Sequence, residues 1–123
     1  MSLNKNMRVM IVDDYTTMLR ILRNLLRQLE IANVDEANDA ETAFAAMQRQ
    51  APDLIISDWN MVPMTGLDLL RKVRADGKLR HIPFIMVTAE SKTENVIAAK
   101  QAGVSNYIVK PFNAETLRAK IVS

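Results

Sequence analysis

Short apolar runs alternate along the chain with longer stretches in which apolar residues recur every third or fourth position. Arg8-Val-Met-Ile-Val12 is a β-rich run ending in Asp13-Asp14. From Thr16 to Glu30 the leucines fall at Leu19, Leu22, Leu26 and Leu29, with Arg20, Arg23 and Arg27 on the opposite face of the helix this spacing predicts. Val34 to Ala37 reads as a short, weak strand, and Asp39 as the N-cap of a helix running to about Gln50. Leu54-Ile-Ile-Ser57 is the next strand and ends in Asp58. A helix follows from about Gly66 to Ala75 and stops near Asp76-Gly77. Phe84-Ile-Met-Val87 predicts a strand ending in Thr88, and Lys92 to Gln101 a helix closed by Gly103. Tyr107-Ile-Val109 is the last strand and ends in Lys110-Pro111; Asn113 caps a final helix that runs to the C-terminus.

Five strand–helix units in succession predict an α/β fold. The strands lack an apolar–polar alternation, as expected where helices cover both faces of a sheet. Right-handed crossovers then give a doubly wound (βα)5 domain with a five-stranded parallel sheet, in the flavodoxin-like order 2-1-3-4-5.

That topology gives the polar residues meaning. In open α/β sheets, ligands bind beyond the carboxyl ends of the strands, at the switch point between strands one and three. Asp13 and Asp14 follow strand one, Asp58 strand three, Thr88 strand four and Lys110 strand five. Three carboxylates in one crevice repel one another unless protons or a cation sit among them. Hard oxygen ligands in a half-open site suit Mg²⁺, with the Asn60 backbone carbonyl as a further ligand. Such a site fits phosphoryl transfer to a carboxylate. Asp58 is the nucleophile, Mg²⁺ and Lys110 stabilise charge on the phosphoryl oxygens, and the Thr88 hydroxyl donates to one of them.

Bulk properties add limits. The 123 residues fit one domain, read as 1–123 with residues 1–6 a flexible polar tail. A composition of 49% hydrophobic and 24% charged residues excludes disorder. No cysteine is present, which rules out disulfides and thiolate metal sites. The net charge of +2 is too small to suggest nucleic acid. No apolar run reaches membrane-span length and the N-terminus lacks a secretory pattern, so a cytoplasmic location is expected.

Structural readings compete at each position. Asp13-Asp14 taken alone reads as a helix cap, Asp58 as a turn residue and Lys110 as a solvated charge. Their coincidence at matching strand ends favours a common site. His81, the only histidine, has no ligand partners in sequence. The arginine stripe reads as a solvated helix face, and the eight methionines mostly as core fillers, with Met61 and Met64 alone near enough to Asp58 to shape its loop. Trp59 reads as a partly exposed lid on the pocket.

The stretches Val12-Asp-Asp-Tyr15, Ser57-Asp-Trp-Asn-Met61, Arg74-Ala-Asp-Gly77, Val87-Thr-Ala-Glu90, Glu94 to Gly103 and Tyr107-Ile-Val-Lys-Pro-Phe112 resemble the receiver domains of two-component response regulators. The similarity runs from Arg8 to Ile121 and is strongest to chemotaxis receivers of the CheY type. The resemblance implies that Asp58 is the phosphoacceptor, served by a CheA-like histidine kinase. It implies Mg²⁺ at Asp13, Asp14, Asp58 and the Asn60 carbonyl, with Lys110 and Thr88 reading out the phosphoryl group. It further implies a cis Lys110–Pro111 bond, Asn60 and Glu90 as the pair tuning dephosphorylation, and Thr88 with Tyr107 as the coupled switch. The implied output face, which in chemotaxis receivers binds the flagellar motor switch protein FliM, includes Thr93, Val96, Lys100, Val104, Tyr107 and Lys120. A monomer is expected, with neither nucleic acid nor membrane as partner.

Three features depart from the family pattern. The loop Met61-Val-Pro-Met-Thr-Gly66 places its proline one residue late, Lys100 puts charge where a small residue is usual, and the last helix is short. The reading is a phosphorylation-dependent switch without catalytic turnover. The alternatives are a phosphate sink with no motor partner, a Mg²⁺-dependent aspartyl-phosphate phosphatase, and a phosphorylation-independent binding module. Asn60 stands where such phosphatases carry their general acid, and no acid or lysine is lost as the last alternative would require.

Overall fold

The computed structural model describes residues 4–89 and 93–122. Its elements are β1 (Val9–Val12), α1 (Thr16–Gln28), β2 (Val34–Ala37), α2 (Ala40–Arg49), β3 (Leu54–Asp58), α3 (Gly66–Ala75), β4 (Phe84–Thr88), α4 (Thr93–Gln101), β5 (Asn106–Val109) and α5 (Ala114–Val122). The strands form one parallel sheet in the order β2-β1-β3-β4-β5, the flavodoxin-like arrangement. Differences from the expected boundaries are at element ends. α1 stops at Gln28, not Glu30, because Glu30 adopts a left-handed φ of 65°. Of the expected tail, Lys5 pairs with Glu30 and the Asn6 carbonyl accepts from Asn33, while residues 1–3 lie outside the described residues.

The side-chain period of two divides each central strand between two cores. Val9 and Ile11 of β1, Leu54 and Ile56 of β3, and Ile85 and Val87 of β4 pack with Leu19, Leu22, Leu26, Leu117 and Ile121 under α1 and α5. Met10, Val12, Ile55, Phe84 and Met86 pack with Ala43, Met47, Leu69, Leu70 and Val73 under α2 and α3. Both faces are therefore apolar, which accounts for the uninterrupted hydrophobic runs. Each fully buried leucine contributes about 2 kcal/mol.

β2 is different because it lies at the sheet edge. Asp35 and Glu36 point to solvent, charges that discourage pairing with another strand. Arg8 reaches Asp35 at 2.9 Å. Arg23 donates to Glu36 at 2.6 Å and to the Val34 carbonyl at 3.1 Å. This corrects the reading of the arginine stripe as uniformly solvated: Arg23 ties α1 to the edge strand, and only Arg20 and Arg27 are exposed.

Helix starts are capped where expected. Asp39 accepts from the Thr42 N–H at 2.7 Å, and Asn113 from Thr116 at 2.9 Å. Thr65 and Asp68 form a capping box at the start of α3. α1, which follows the acid pair, has Tyr15 at its N-cap and no side-chain cap bond. The acids after β1 are thus not used as its cap.

At the opposite edge of the sheet, Arg74 donates from Nε to the Gly103 carbonyl at 2.8 Å and from Nη1 to the carbonyls of Arg80 and Ile82 at 3.0 and 2.7 Å. Gly103 closes α4 with φ of 93°, a conformation open to glycine at no steric cost. A Cβ there would also meet Arg74 Nε at 3.2 Å. α4 is otherwise lightly held: among its described side chains only Ala99 is fully buried. Val62–Pro63 and Lys110–Pro111 are cis. Among the described residues no helix is long and apolar enough to cross a membrane.

Candidate functional site

Strand register brings the polar residues together. Val12 lies opposite Ser57, Asp58 opposite Val87, and Thr88 opposite Val109. Asp13, Asp58, Thr88 and Lys110 therefore leave the sheet at one edge. Asp13, Asp14 and Asp58 each offer a carboxylate oxygen within 4.8 Å of the others. Lys110 Nζ donates to Asp58 Oδ1 at 3.1 Å and stands 3.7 Å from Asp13 Oδ2. Thr88 is fully buried at the end of β4, and its carbonyl accepts from the Lys110 N–H at 2.8 Å.

The electrostatics are unfavourable without a cation. Asp13 is buried, and burial pushes its carboxyl up to about 6. The Tyr15 N–H, donating to Oδ1 at 2.9 Å, opposes that rise, while the Asp58 charge adds to it. Burial also raises Asp58, against the hydrogen bond and charge of Lys110. Asp13 Oδ2 is buried with no hydrogen-bond partner among the described residues. A buried, unsatisfied carboxylate oxygen beside two further carboxylates fits a hard divalent cation.

The loop after Asp58 is folded back on that residue. Gly66 N–H donates to the Trp59 carbonyl at 2.9 Å. A Cβ on Gly66 would lie 2.1 Å from the Asp58 carbonyl oxygen and 2.9 Å from Met86 Sδ. Only glycine allows α3 to start this close to the Asp58 backbone. Met86 therefore joins Met61 and Met64 in shaping this loop, a role that β4's place beside β3 supplies and that spacing along the chain does not reveal. Gly66→Ala is expected to cost about 3 kcal/mol of stability, since the obstacle is backbone that cannot rotate away. Urea unfolding checks this; a loss below about 1 kcal/mol would show that the loop yields.

Trp59 is half-buried, with its ring edge-on to Tyr107 at 6.3 Å. It packs against the α2–α3 core cluster as well as against Tyr107. Asn60 is exposed. Glu90 and the Thr93 side chain lie outside the described residues. Val96, Lys100, Val104 and Tyr107 line a groove of about 110 Å³ together with Ser105 and Asn106. Lys120 is not among its lining residues; its carbonyl accepts from Asn106 at 3.2 Å on the α5 side. His81 is exposed in the loop before β4. Arg74 and Gly66 are the residues sequence reading missed. The glycine at a helix start three residues past Pro63 was the one available signal.

Known proteins agree with this geometry. Residues 9–122 match the response regulator receiver domain family. The chain is 52% identical over 119 residues to chemotaxis protein CheY-3 of Vibrio cholerae, covering 97% of this chain and 92% of that protein. It is 52% identical over 115 residues to chemotaxis protein CheY of Pseudomonas aeruginosa, covering 94% and 93%. Among solved structures, Vibrio cholerae CheY4 superposes with a TM-score of 0.88 at 33% identity, covering 94% of this chain and 96% of that one. A putative response regulator from Chloroflexus aurantiacus gives 0.88 at 28% identity, covering 94% of each. The chain belongs to the response regulator receiver domain family.

Proposed function

We propose that this receiver takes a phosphoryl group on Asp58 from a CheA-like histidine kinase and thereby switches its binding to a protein target in chemotaxis, the motor switch protein FliM. The observation that carries the reading is Lys110 Nζ at 3.1 Å from Asp58 Oδ1, inside a cluster of three carboxylates. Asp58 sits at the end of a rigid central strand, and one of its oxygens serves as nucleophile toward phosphorus. Lys110 then faces the incoming equatorial oxygens. Asp13, Asp14, Asp58 and the Asn60 carbonyl would hold Mg²⁺, which when bound neutralises charge on the phosphoryl oxygens. Asp13 and Asp58 are buried while Asp14 is exposed, so the interactions of the first two are strengthened by the low-dielectric surroundings and the site stays open on the Asp14 side.

The acceptor is modified and restored, so the protein signals and does not turn over an external substrate. The phosphoryl group biases Thr88 and Tyr107 toward one of two arrangements, with Asn60 and Glu90 setting the rate of loss. Tyr107 touches Trp59 on one side and lines the Val96–Lys100–Val104 groove on the other, which supports coupling between site and output face. The work is done in the cytoplasm, where the kinase and the motor switch present their surfaces.

Trp59 supplies the test. Beryllofluoride, a phosphoryl mimic, titrated with Mg²⁺ is expected to change Trp59 fluorescence saturably in wild type and not at all in Asp58→Ala. A folded wild type that ignores both reagents would sink the acceptor reading. Stronger capture of FliM with the mimic bound would connect the switch to the motor; equal capture would remove that target.

A further inference from the structure

The groove that Tyr107 lines has two unlike walls. Val96 and Lys100 come from α4, which among its described side chains buries only Ala99. Val104 and Ser105 come from the turn after α4, and that turn is tied down. The Ser105 N–H donates to the Phe84 carbonyl at 2.9 Å, and the Ser105 hydroxyl accepts from the Phe84 N–H at 3.0 Å. The Gly103 and Val104 N–H groups close the turn on the Lys100 and Ala99 carbonyls at 3.1 and 3.0 Å. Arg74 joins this turn to the loop before β4. Its Nε donates to the Gly103 carbonyl at 2.8 Å, and Nη1 to the Arg80 and Ile82 carbonyls at 3.0 and 2.7 Å. Its Nη2 reaches the Ser105 hydroxyl at 3.4 Å. Every guanidinium nitrogen is thus engaged, by oxygens from two separate connections. Burial disfavours the Arg74 charge, and these oxygens are what offset that cost.

We infer that Arg74 is a positioning residue for the output groove: it holds the Val104–Ser105 wall fixed, so that α4 and Tyr107 are the parts free to change when the site is loaded. The role in output rests on the reading of this groove as the output face; the hold on the wall does not. A planar guanidinium fixes the direction of each donor, so contacts to Gly103, Arg80 and Ile82 together set where the turn lies against the loop before β4. A partner that distinguishes two states of a groove needs a part that differs between them. It also gains from a part already in place, because ordering that part on contact would cost affinity. The two walls divide these tasks. Arg74 serves the second from outside the groove, where it touches no partner: it is not among the lining residues.

The test follows amide hydrogen exchange in wild type, Arg74→Met and Arg74→Lys, with and without Mg²⁺ and beryllofluoride. In Arg74→Met the Gly103, Val104 and Ser105 amides are expected to exchange roughly tenfold faster or more, while the Ile55 amide, bonded to the Pro83 carbonyl, stays within about twofold. In wild type the same three amides keep their rates on loading. Capture of FliM by the loaded variant is expected to fall about fivefold or more, with the midpoint of the Trp59 titration unmoved. Arg74→Lys keeps the charge but offers one nitrogen in place of three. It is expected to follow Arg74→Met, and it decides the matter if the methionine variant does not fold. Unchanged exchange at the three amides in the variants overturns the inference. So does an equal rise at Ile55, which marks a loss of overall stability, or a wild-type wall whose exchange shifts on loading. Undiminished capture of FliM by a variant with a loosened wall overturns it too. A wild type that ignores the mimic overturns the acceptor reading, and one that responds but captures no FliM removes that target. In both cases exchange without the mimic still decides whether Arg74 holds the wall.

Discussion

Asp13→Asn is expected to make the metal-free protein more stable at pH 7, by about 2–3 kcal/mol, while lowering Mg²⁺ affinity on the order of a hundredfold. The carboxyl of Asp13 titrates near 6 in the fold, against 3.8 for an ordinary aspartate, because burial disfavours its charge. A carboxylate raised in this way favours the fold at low pH, where both states hold the proton. That contribution is fully present below 3.8 and is lost as pH rises through about 6. Asp58, raised for the same reason, acts with the same sign. Metal-free wild type should therefore weaken between pH 5 and pH 7. Asp39 and Asp76, whose carboxyls are lowered by backbone and side-chain hydrogen bonds, act in the opposite sense and only at more acid pH, outside that window.

The asparagine keeps an acceptor for the Tyr15 N–H and removes the charge. Its metal-free stability should fall less from pH 5 to 7 than that of wild type, the remaining slope coming from Asp58. Added Mg²⁺ should raise the stability of wild type by mass action and leave the variant unchanged. Urea unfolding with chelator and with Mg²⁺ measures all of this in one series. A metal-free variant no more stable than wild type at pH 7 would mean that the acid cluster is not strained. The result bears on function because a site that costs stability when empty is held for its chemistry and not for the fold.

The legible part of this protein lay in periodicity and in strand ends. Alternating apolar runs and helical leucine spacings placed all ten elements, because a parallel sheet covered on both faces leaves few other arrangements. The site was legible for a related reason. A polar residue at the end of a buried strand has nowhere to point except the carboxyl edge, so Asp13, Asp58, Thr88 and Lys110 converge once the strands are parallel. What remained hidden depends on distance between segments far apart in the chain. Gly66 reads as a helix start, and its closeness to the Asp58 carbonyl follows from how the 59–65 loop turns back. Arg74 reads as one more surface arginine on α3. Its three carbonyl partners come from the loop before β4 and the turn after α4, which no local pattern announces. Arg23 was misread for the same reason, since Glu36 is beside it only because β2 lies at the edge.

Lys110→Met should separate chemistry from metal binding. The methionine keeps an unbranched side chain of similar length and removes the charge. Phosphorylation of Asp58 by acetyl phosphate is expected to fall by roughly 10²–10³, the loss seen when one preorganised donor to a developing anion is removed. Mg²⁺ affinity is expected to rise a few-fold. In wild type the ammonium stands 3.1 Å from Asp58 and 3.7 Å from Asp13, where it already offsets part of the charge that draws the cation. Metal-free stability should drop, because two buried carboxylates lose their only close cation among the described residues. Asp13→Asn and Lys110→Met thus both impair phosphorylation, yet they move metal-free stability in opposite directions and metal affinity in opposite directions. A variant that merely distorted the pocket would lower stability, metal affinity and phosphorylation together. Phosphorylation of Lys110→Met within tenfold of wild type would show that Asp58 takes up the phosphoryl group without the lysine's charge, and the 3.1 Å contact would then be an ion pair of the resting site alone.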